Sequence, residues 1–154
     1  MYKRQTWAKE NKLIEIDFIE KELAAENINF INKNNFKRAQ SISGAIFKAN
    51  LDRTHPINFG IENNSIALFR NTDIFLKPDD DSFNNPIVYD KNPLISGYIS
   101  KENLESLSNT VPFKIQAIGD GKIIIMTDNT NFRGYWIGTQ HILANMIFYS
   151  HLMN

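Results

Sequence analysis

The chain of 154 residues contains no cysteine. That absence excludes disulfides, thiolate nucleophiles and cysteine-based zinc or iron–sulfur sites, and with them several classes of enzyme. An excess of charge of either sign is also missing, because lysine and arginine number 17 and aspartate and glutamate number 17. We therefore predict neither a nucleic-acid partner nor an anionic membrane partner, since both are attracted by a net basic field.

Long apolar runs are missing as well. The longest, such as Ile123–Met126, are far shorter than the roughly 20 residues that cross a bilayer, and no segment resembles a signal peptide. We therefore expect no membrane insertion. A content of 42% hydrophobic and 12% aromatic residues is nevertheless enough to build the core of one domain.

Hydrophobic periodicity predicts an α/β domain. Apolar residues alternate with polar ones over Phe113–Ala117, and the turn Gly119-Asp120-Gly121 leads into Lys122–Thr127, so this segment is predicted to form a hairpin. The second strand is a continuous apolar run, which favours a central strand covered on both faces. Thr139–Leu152 has the spacing of a helix that packs on the sheet. The other predicted elements are the end of a helix at 7–11, a strand at 13–19, a strand at 44–51, a pair of strands at 66–69 and 73–76, an irregular connection at 93–98 and a short helix from Ser100 to about Asn109.

Histidine is too sparse to predict a zinc site. His141 and His151 lie ten positions apart on one predicted helix, about 15 Å along its axis, and so cannot share an ion. His55 precedes a proline in a predicted turn. We interpret all three as surface or structural histidines.

Other chemical motifs are incomplete. An EF-hand that began at Asp79 would need glycine and glutamate where Asn84 and Asp90 stand, so the acidic stretch is predicted to be a solvated loop. No G-x-S-x-G nucleophile elbow occurs, and Gly119-x-Gly121 precedes a strand rather than a phosphate-binding helix. We therefore assign no catalytic, cofactor-binding or metal-binding residue.

The loop after the predicted central strand is the one segment with a functional character. Ligands of open α/β sheets gather beyond the carboxyl ends of strands, where this loop is expected to lie. In the structural alternative, Asp128 and Asn131 cap the following turn, Arg133 pairs with a nearby carboxylate, and the aromatic residues pack inward. The candidate ligand-binding or structural residues are Asp128, Asn131, Phe132, Arg133, Trp136 and His55.

Several blocks of the chain resemble one family. Residues 43–60, SGAIFKANLDRTHPINFG, are similar to the segment GAIF-x-A-x-LD-x-THPL-x-(F/Y)G near the C-terminus of M14-family zinc carboxypeptidase-like proteins, particularly those of Bacteroidetes. Residues 92–98, 128–139 and 143–145 are similar to that family's blocks NPL-x-SG(Y/F) and DNP-x-FR-x-(F/Y)W-x-GT…L-x-N. The resemblance covers most of the chain from Trp7 onward. It departs at Thr130, where proline is common, and at Gly134.

The resemblance implies a fold and a context. In that family a zinc-binding metallocarboxypeptidase domain precedes a domain similar to class I glutamine amidotransferases. The chain would be the second half of that later domain, an incomplete flavodoxin-like α/β unit of three layers with a mixed sheet and a C-terminal helix. Its partner would be the parent's own peptidase domain, and its location extracytoplasmic, either periplasmic or secreted. The zinc ligands and catalytic glutamate of the peptidase and the cysteine of the amidotransferases have no counterpart here.

These observations give three hypotheses of function. The first is a non-catalytic accessory domain of an M14-like zinc carboxypeptidase, with residues 1–5 a non-native scar that resembles translated adapter DNA and 6–154 the C-terminal part of one domain. The second is an independent module that binds glycan or peptide through Phe132, Tyr135 and Trp136. The third, a remnant amidotransferase-like enzyme, is disfavoured by the missing cysteine.

Overall fold

The structure, a computed structural model, describes residues 7, 10, 11, 17–19, 28–134 and 136–153. Within that part, the predicted mixed α/β class is confirmed. The strands are β1 (Ala45–Leu51), β2 (Ser65–Arg70), β3 (Ile87–Gly97), β4 (Phe113–Ile118) and β5 (Gly121–Met126), and the helices are α1 (Lys33–Ala39), α2 (Lys101–Leu107) and α3 (Ile137–Phe148). None of the described helices has the length and apolar character needed to span a bilayer.

The strands form two antiparallel sheets. The first has the order β2-β1-β3, and the second is the hairpin β4-β5. In the first sheet Ala45 lies opposite Arg70 and Phe47 lies opposite Leu68. Because side chains alternate along a strand, this register places Arg70 and Leu68 on the same buried face of β2.

Two predictions of strand pairing are wrong. Segment 122–127 is not a central strand, because among the described residues β5 pairs with β4 alone, in a two-stranded sheet. Segment 73–76 does not pair with β2, whose described partner is β1. Leu76 of that segment makes two isolated bridges to described residues, one to Phe18 and one to Val111. The first prediction relied on the continuous apolar run of 122–127, and the second paired two segments that adjoin in sequence. In the structure β2 instead pairs with β1, the strand before it, and its carbonyls at Ala67 and Phe69 accept from Trp136 and Asn129.

The prediction of an irregular connection at 93–98 is also wrong, since residues up to Gly97 continue β3. From Ala49 to Phe47 the partner residues in β3 move from Tyr89 to Leu94, so two steps in β1 span five in β3. This bulge breaks the period-2 pattern by which a strand is recognised. Gly97 has a φ of 98°, and a Cβ there would lie 2.8 Å from the Cβ of Ala45, so the close approach requires glycine.

Locally encoded elements are confirmed. The hairpin forms as predicted, and Ser100 caps α2, its Oγ accepting from the backbone N–H of Asn103 at 3.2 Å. The C-terminal helix begins two residues before the predicted start, at Ile137, and ends at Phe148, followed by a 3₁₀ turn. Residues 7 and 10, within the predicted helix end at 7–11, are helical. Residues 13–16 of the predicted strand at 13–19 lie outside the described residues.

The larger of two buried apolar clusters joins most of the elements, and the smaller one consists of Leu76, Val111 and Ile125. The three-stranded sheet contributes one face to the larger cluster, the hairpin contributes β4, and α2 and α3 contribute one side each. Its fully buried members include Phe47, Leu68, Ile87, Leu107, Phe113 and Ile142. At roughly 1.5–3 kcal/mol for each fully buried large side chain, this cluster supplies the main stabilisation of the fold.

Candidate functional site

Beyond the end of β5, Asp128 enters a buried polar cluster. Its Oδ1 accepts from Nη1 of Arg70 at 2.6 Å, and its Oδ2 accepts from the hydroxyl of Tyr89. Nη1 of Arg70 also lies 3.0 Å from Oγ1 of Thr127. The four residues are between 0% and 4% exposed. The cluster therefore ties the three-stranded sheet to the hairpin.

The position of each member follows from its strand. Arg70 is the last residue of β2 and faces inward with Leu68, while Tyr89 faces inward from β3. Thr127 extends the hairpin, since its backbone N–H and its Oγ1 both donate to the carbonyl of Pro112, at 3.0 and 3.1 Å. Asp128 follows directly and is thereby aimed at the end of β2.

Electrostatics fix the direction of the hydrogen bonds. Burial raises the pKa of the Asp128 carboxyl, although Arg70 and Tyr89 act in the opposite direction. Burial and the nearby carboxylate raise the pKa of the Tyr89 hydroxyl well above its ordinary value. Desolvation opposes the charge on Arg70, yet Tyr89 and Asp128 leave its pKa above the ordinary value. Arg70 and Tyr89 are therefore the donors, and Asp128 is the acceptor.

The rest of the guanidinium is covered by aromatic rings. Its central carbon lies 4.9 Å from the ring centroid of Phe75 and 5.8 Å from that of Tyr89. Such cation–π contacts partly replace the water that the cation has lost. Nε and Nη2 of Arg70 have no hydrogen-bond partner among the described residues. The charge of Arg70 is therefore balanced mainly by Asp128.

The loop after β5 covers the outer edge of β2. The backbone N–H of Asn129 donates to the carbonyl of Phe69 at 3.1 Å, and Nε1 of Trp136 donates to the carbonyl of Ala67 at 3.3 Å. An exposed strand edge invites pairing with other chains, and this loop blocks it. Two of the predicted site residues, Asp128 and Trp136, are thus engaged in holding the sheet.

Phe132 and Arg133 also make internal contacts. The ring of Phe132 stacks on that of Phe69 with centroids 3.7 Å apart, and the guanidinium of Arg133 lies 5.1 Å from the centroid of Phe132. Arg133 is exposed and adopts a left-handed φ of 52°. The expectation that it pairs with a carboxylate is not met among the described residues, where its contact is aromatic.

Asn131 and Asp128 do not cap the following turn with their side chains. Oδ1 of Asn131 accepts from Oγ1 of Thr130 at 2.8 Å, and its carbonyl accepts from the N–H of Gly134 at 3.0 Å. The capping expectation for Asp128 is wrong because the carboxylate turns inward to Arg70. Thr139 completes the segment by donating from Oγ1 to the carbonyl of Thr130. The loop is closed on itself and on the start of α3.

His55 lies apart from this loop. Its Nδ1 accepts from the backbone N–H of Ile57 at 3.1 Å, so it caps the 3₁₀ turn Pro56–Asn58. Partial burial lowers the pKa of the imidazole, while the charge of Asp52 acts in the opposite direction. A histidine that accepts a backbone hydrogen bond must be neutral at that nitrogen. The geometry supports the structural interpretation of this residue.

The other histidines and the acidic loop residues considered as metal ligands make separate contacts. His141 on α3 and His151 in the turn after it are both exposed. Oδ2 of Asp79 lies 3.3 Å from Nζ of Lys114, and Oδ1 of Asp81 accepts from the backbone N–H of Phe83. Among the residues that the structure describes, no group of three histidines or carboxylates is placed to hold a metal ion.

Sequence reasoning missed Arg70 and Tyr89. A signal was present, because Leu68 and Arg70 are two apart in a β pattern and must share a face. An arginine on a buried face requires an anionic partner. The pattern could therefore have indicated a buried ion pair, but not that Asp128, 58 positions away, supplies it.

The chain matches no protein-family model, no curated protein and no solved structure. The resemblance to M14-type proteins therefore rests on its sequence blocks alone and stays a prediction.

Proposed function

We propose that the chain is a non-catalytic accessory domain of an M14-like zinc carboxypeptidase. The observation that carries the proposal is the engagement of Asp128. This carboxylate lies in the loop where the sequence predicted a ligand site, yet it is buried and its two oxygens accept from Arg70 and Tyr89. A side chain committed in this way is not available to a substrate or a metal.

In this proposal the zinc and the catalytic residues belong to a peptidase domain of the parent protein. The accessory domain packs against that domain or presents substrate to it. We further propose that the fold is a part of a flavodoxin-like, class I amidotransferase-like unit. The described strands are all antiparallel, so in that unit they would form the antiparallel portion of a mixed sheet.

Two measurements test the proposal. The purified chain, dialysed against zinc and then against buffer, should hold substoichiometric metal and release no C-terminal amino acid from a panel of peptides. Stoichiometric zinc together with turnover would contradict a non-catalytic role. Sequencing the DNA upstream of this reading frame should reveal an in-frame H-x-x-E zinc motif, and an in-frame stop codon just before residue 6 would contradict the carboxypeptidase context.

The hypothesis of a glycan- or peptide-binding module stays a prediction without a specific contact in its favour. One face of Phe132 is stacked on Phe69, and the indole N–H of Trp136 is bonded to β2. A binding module presents such aromatic faces to solvent. Binding on a glycan array that disappears in a Trp136→Ala variant of unchanged fold would favour it.

A further inference from the structure

The exposed tip of the hairpin β4-β5 joins an aspartate to a glycine. Asp120 is the second residue of the two-residue turn, and Gly121 opens β5 opposite Ile118. All residues from 117 to 121 are exposed. Asp120 is also the one aspartate of the chain that a glycine follows. Because glycine has no Cβ, its backbone nitrogen can approach the preceding side chain without hindrance.

The carboxylate of Asp120 is free to react. It makes no hydrogen bond or ion pair with any residue that the structure describes. A carboxylate that accepts hydrogen bonds has to lose them before it can turn towards the main chain, and this loss costs free energy. Most of the other aspartates are held in that way, namely Asp52, Asp73, Asp79, Asp81, Asp90 and Asp128.

The backbone at the tip can open without unfolding the domain. The pair of Ile118 with Gly121 is the last of the ladder between β4 and β5. Exposed ends of elements open at a much lower free energy than pairs in the core. Once this pair opens, the nitrogen of Gly121 and the carboxyl carbon of Asp120 belong to adjoining residues, so a reaction between them is intramolecular and needs no diffusion.

We propose that Asp120 is a site of spontaneous covalent modification, at which the chain converts to an isoaspartyl linkage as the protein ages. The nitrogen of Gly121 attacks Cγ of Asp120 and closes a succinimide ring, while the carboxyl hydroxyl leaves as water with the proton of that nitrogen. Water then adds to the former main-chain carbonyl carbon of Asp120 and breaks its bond to nitrogen. The composition is unchanged, and water is the sole co-reactant. This inference does not depend on the proposed function.

The modification lengthens the turn. In an isoaspartyl residue the main chain runs through Cβ and Cγ, which adds one methylene carbon between Gly119 and Gly121. A two-residue turn closes its strands only in a few backbone geometries, and Gly119 already adopts a left-handed φ of 55°. The pairs nearest the tip, Ile118 with Gly121 and Ala117 with Lys122, should therefore loosen.

Ageing of the folded chain tests the site. After several weeks at physiological temperature in mildly acidic buffer, protein isoaspartyl methyltransferase with labelled S-adenosylmethionine should label the chain, and fragment mass spectra should place the label at Asp120. Gly121→Val is the matched control, because a Cβ there would lie 3.5 Å from the carbonyl oxygen of Ile118, an ordinary contact. The branched side chain crowds the attacking nitrogen, so labelling should fall at least about tenfold.

Equal labelling of the wild type and Gly121→Val would overturn the proposal. So would label that accumulates at other aspartates and not at Asp120. Label that appears only in chain unfolded with urea would overturn it as well, because the hairpin would then protect the bond.

A second variant keeps the test available if Gly121→Val fails to fold. Asp120→Glu retains the charge but can react only through a larger and slower-forming ring, so it should stay unlabelled; labelling at the wild-type level contradicts the proposal. The aged wild type should also unfold at a lower urea concentration than the fresh chain, and an unchanged midpoint would contradict the loosening of the hairpin.

Discussion

Two buried polar junctions hold elements of this fold together, and they differ in charge. The first is the ion pair of Arg70 with Asp128, supported by Tyr89. The second is neutral: Nδ2 of Asn145 on α3 donates to the carbonyls of Ile57 and Phe59, at 2.9 and 2.8 Å. In the neutral junction a lost donor leaves two carbonyls unsatisfied, whereas in the charged junction a lost partner leaves a whole charge unbalanced. The two should therefore respond very differently to single substitutions.

The largest effect is expected at Asp128. Asp128→Asn keeps the shape of the side chain but leaves the buried Arg70 without its counter-charge, so the free energy of unfolding should fall by about 3–5 kcal/mol. Urea denaturation measures it. The control Asp120→Asn, in the exposed hairpin turn, should change stability by less than about 0.5 kcal/mol. A stability that is unchanged or increased would indicate a carboxylate kept for function rather than for the fold.

A smaller loss is expected at the neutral junction. Asn145→Ala removes both hydrogen bonds to the loop at residues 57–59, and the free energy of unfolding should fall by about 1–3 kcal/mol. The same denaturation experiment applies, with Asn63→Ala in an exposed loop as the matched amide control. A loss as large as that of Asp128→Asn would remove the distinction between the two junctions.

A substitution of Thr139 tests the loop between Asp128 and α3, which the Thr139 hydroxyl holds through the carbonyl of Thr130. Thr139→Val removes the hydroxyl that donates to the carbonyl of Thr130 and keeps the shape of the buried side chain. The expected loss is about 1 kcal/mol, the usual net contribution of one hydrogen bond. Thr54→Val replaces an exposed threonine whose hydroxyl bonds Asp52 and should cost less. The opposite order of the two losses would show that the contact at Thr130 does not hold the loop.

The smallest effect is a pH dependence at His55. Its pKa is lowered in the folded state by burial, so the unfolded chain binds the proton first as the pH falls. The stability from this residue is therefore present above about pH 6.5 and declines as the pH falls towards the folded-state pKa. His55→Asn keeps an acceptor for the N–H of Ile57 and cannot titrate, so its stability should fall less than that of the wild type between pH 7 and pH 5. Parallel pH profiles would contradict this role.

The sequence was informative where structure is local. Alternation and the Gly119-Asp120-Gly121 turn located the hairpin, and Ser100 located the start of α2, because each signal lies within a few residues of the element it defines. The long-range features could not be predicted in the same way. The register of β3 is broken by a bulge, and the partner of β2 lies about 20 residues earlier in the chain.

In the candidate site, too, local features could be predicted from the sequence and long-range contacts could not. The loop after β5 was located correctly, but its side chains were assigned the wrong partners, because Arg70 and Asp128 meet only after two sheets have formed and packed. Arg70 on the inward face of β2 was the one visible indication of a buried ion pair. A histidine before proline, in contrast, was correctly interpreted as part of a turn, since His55 caps the residues that directly follow it.

A double-mutant cycle on Arg70 and Asp128 tests most directly whether the strand-end aspartate serves the fold. Arg70→Met and Asp128→Leu should each be strongly destabilising, while the double variant, with neither charge left buried, should lose far less than their sum. We predict a coupling free energy of at least about 2 kcal/mol from urea denaturation at neutral pH. Losses that add within about 0.5 kcal/mol would contradict the account, because they would mean that the two side chains do not depend on each other.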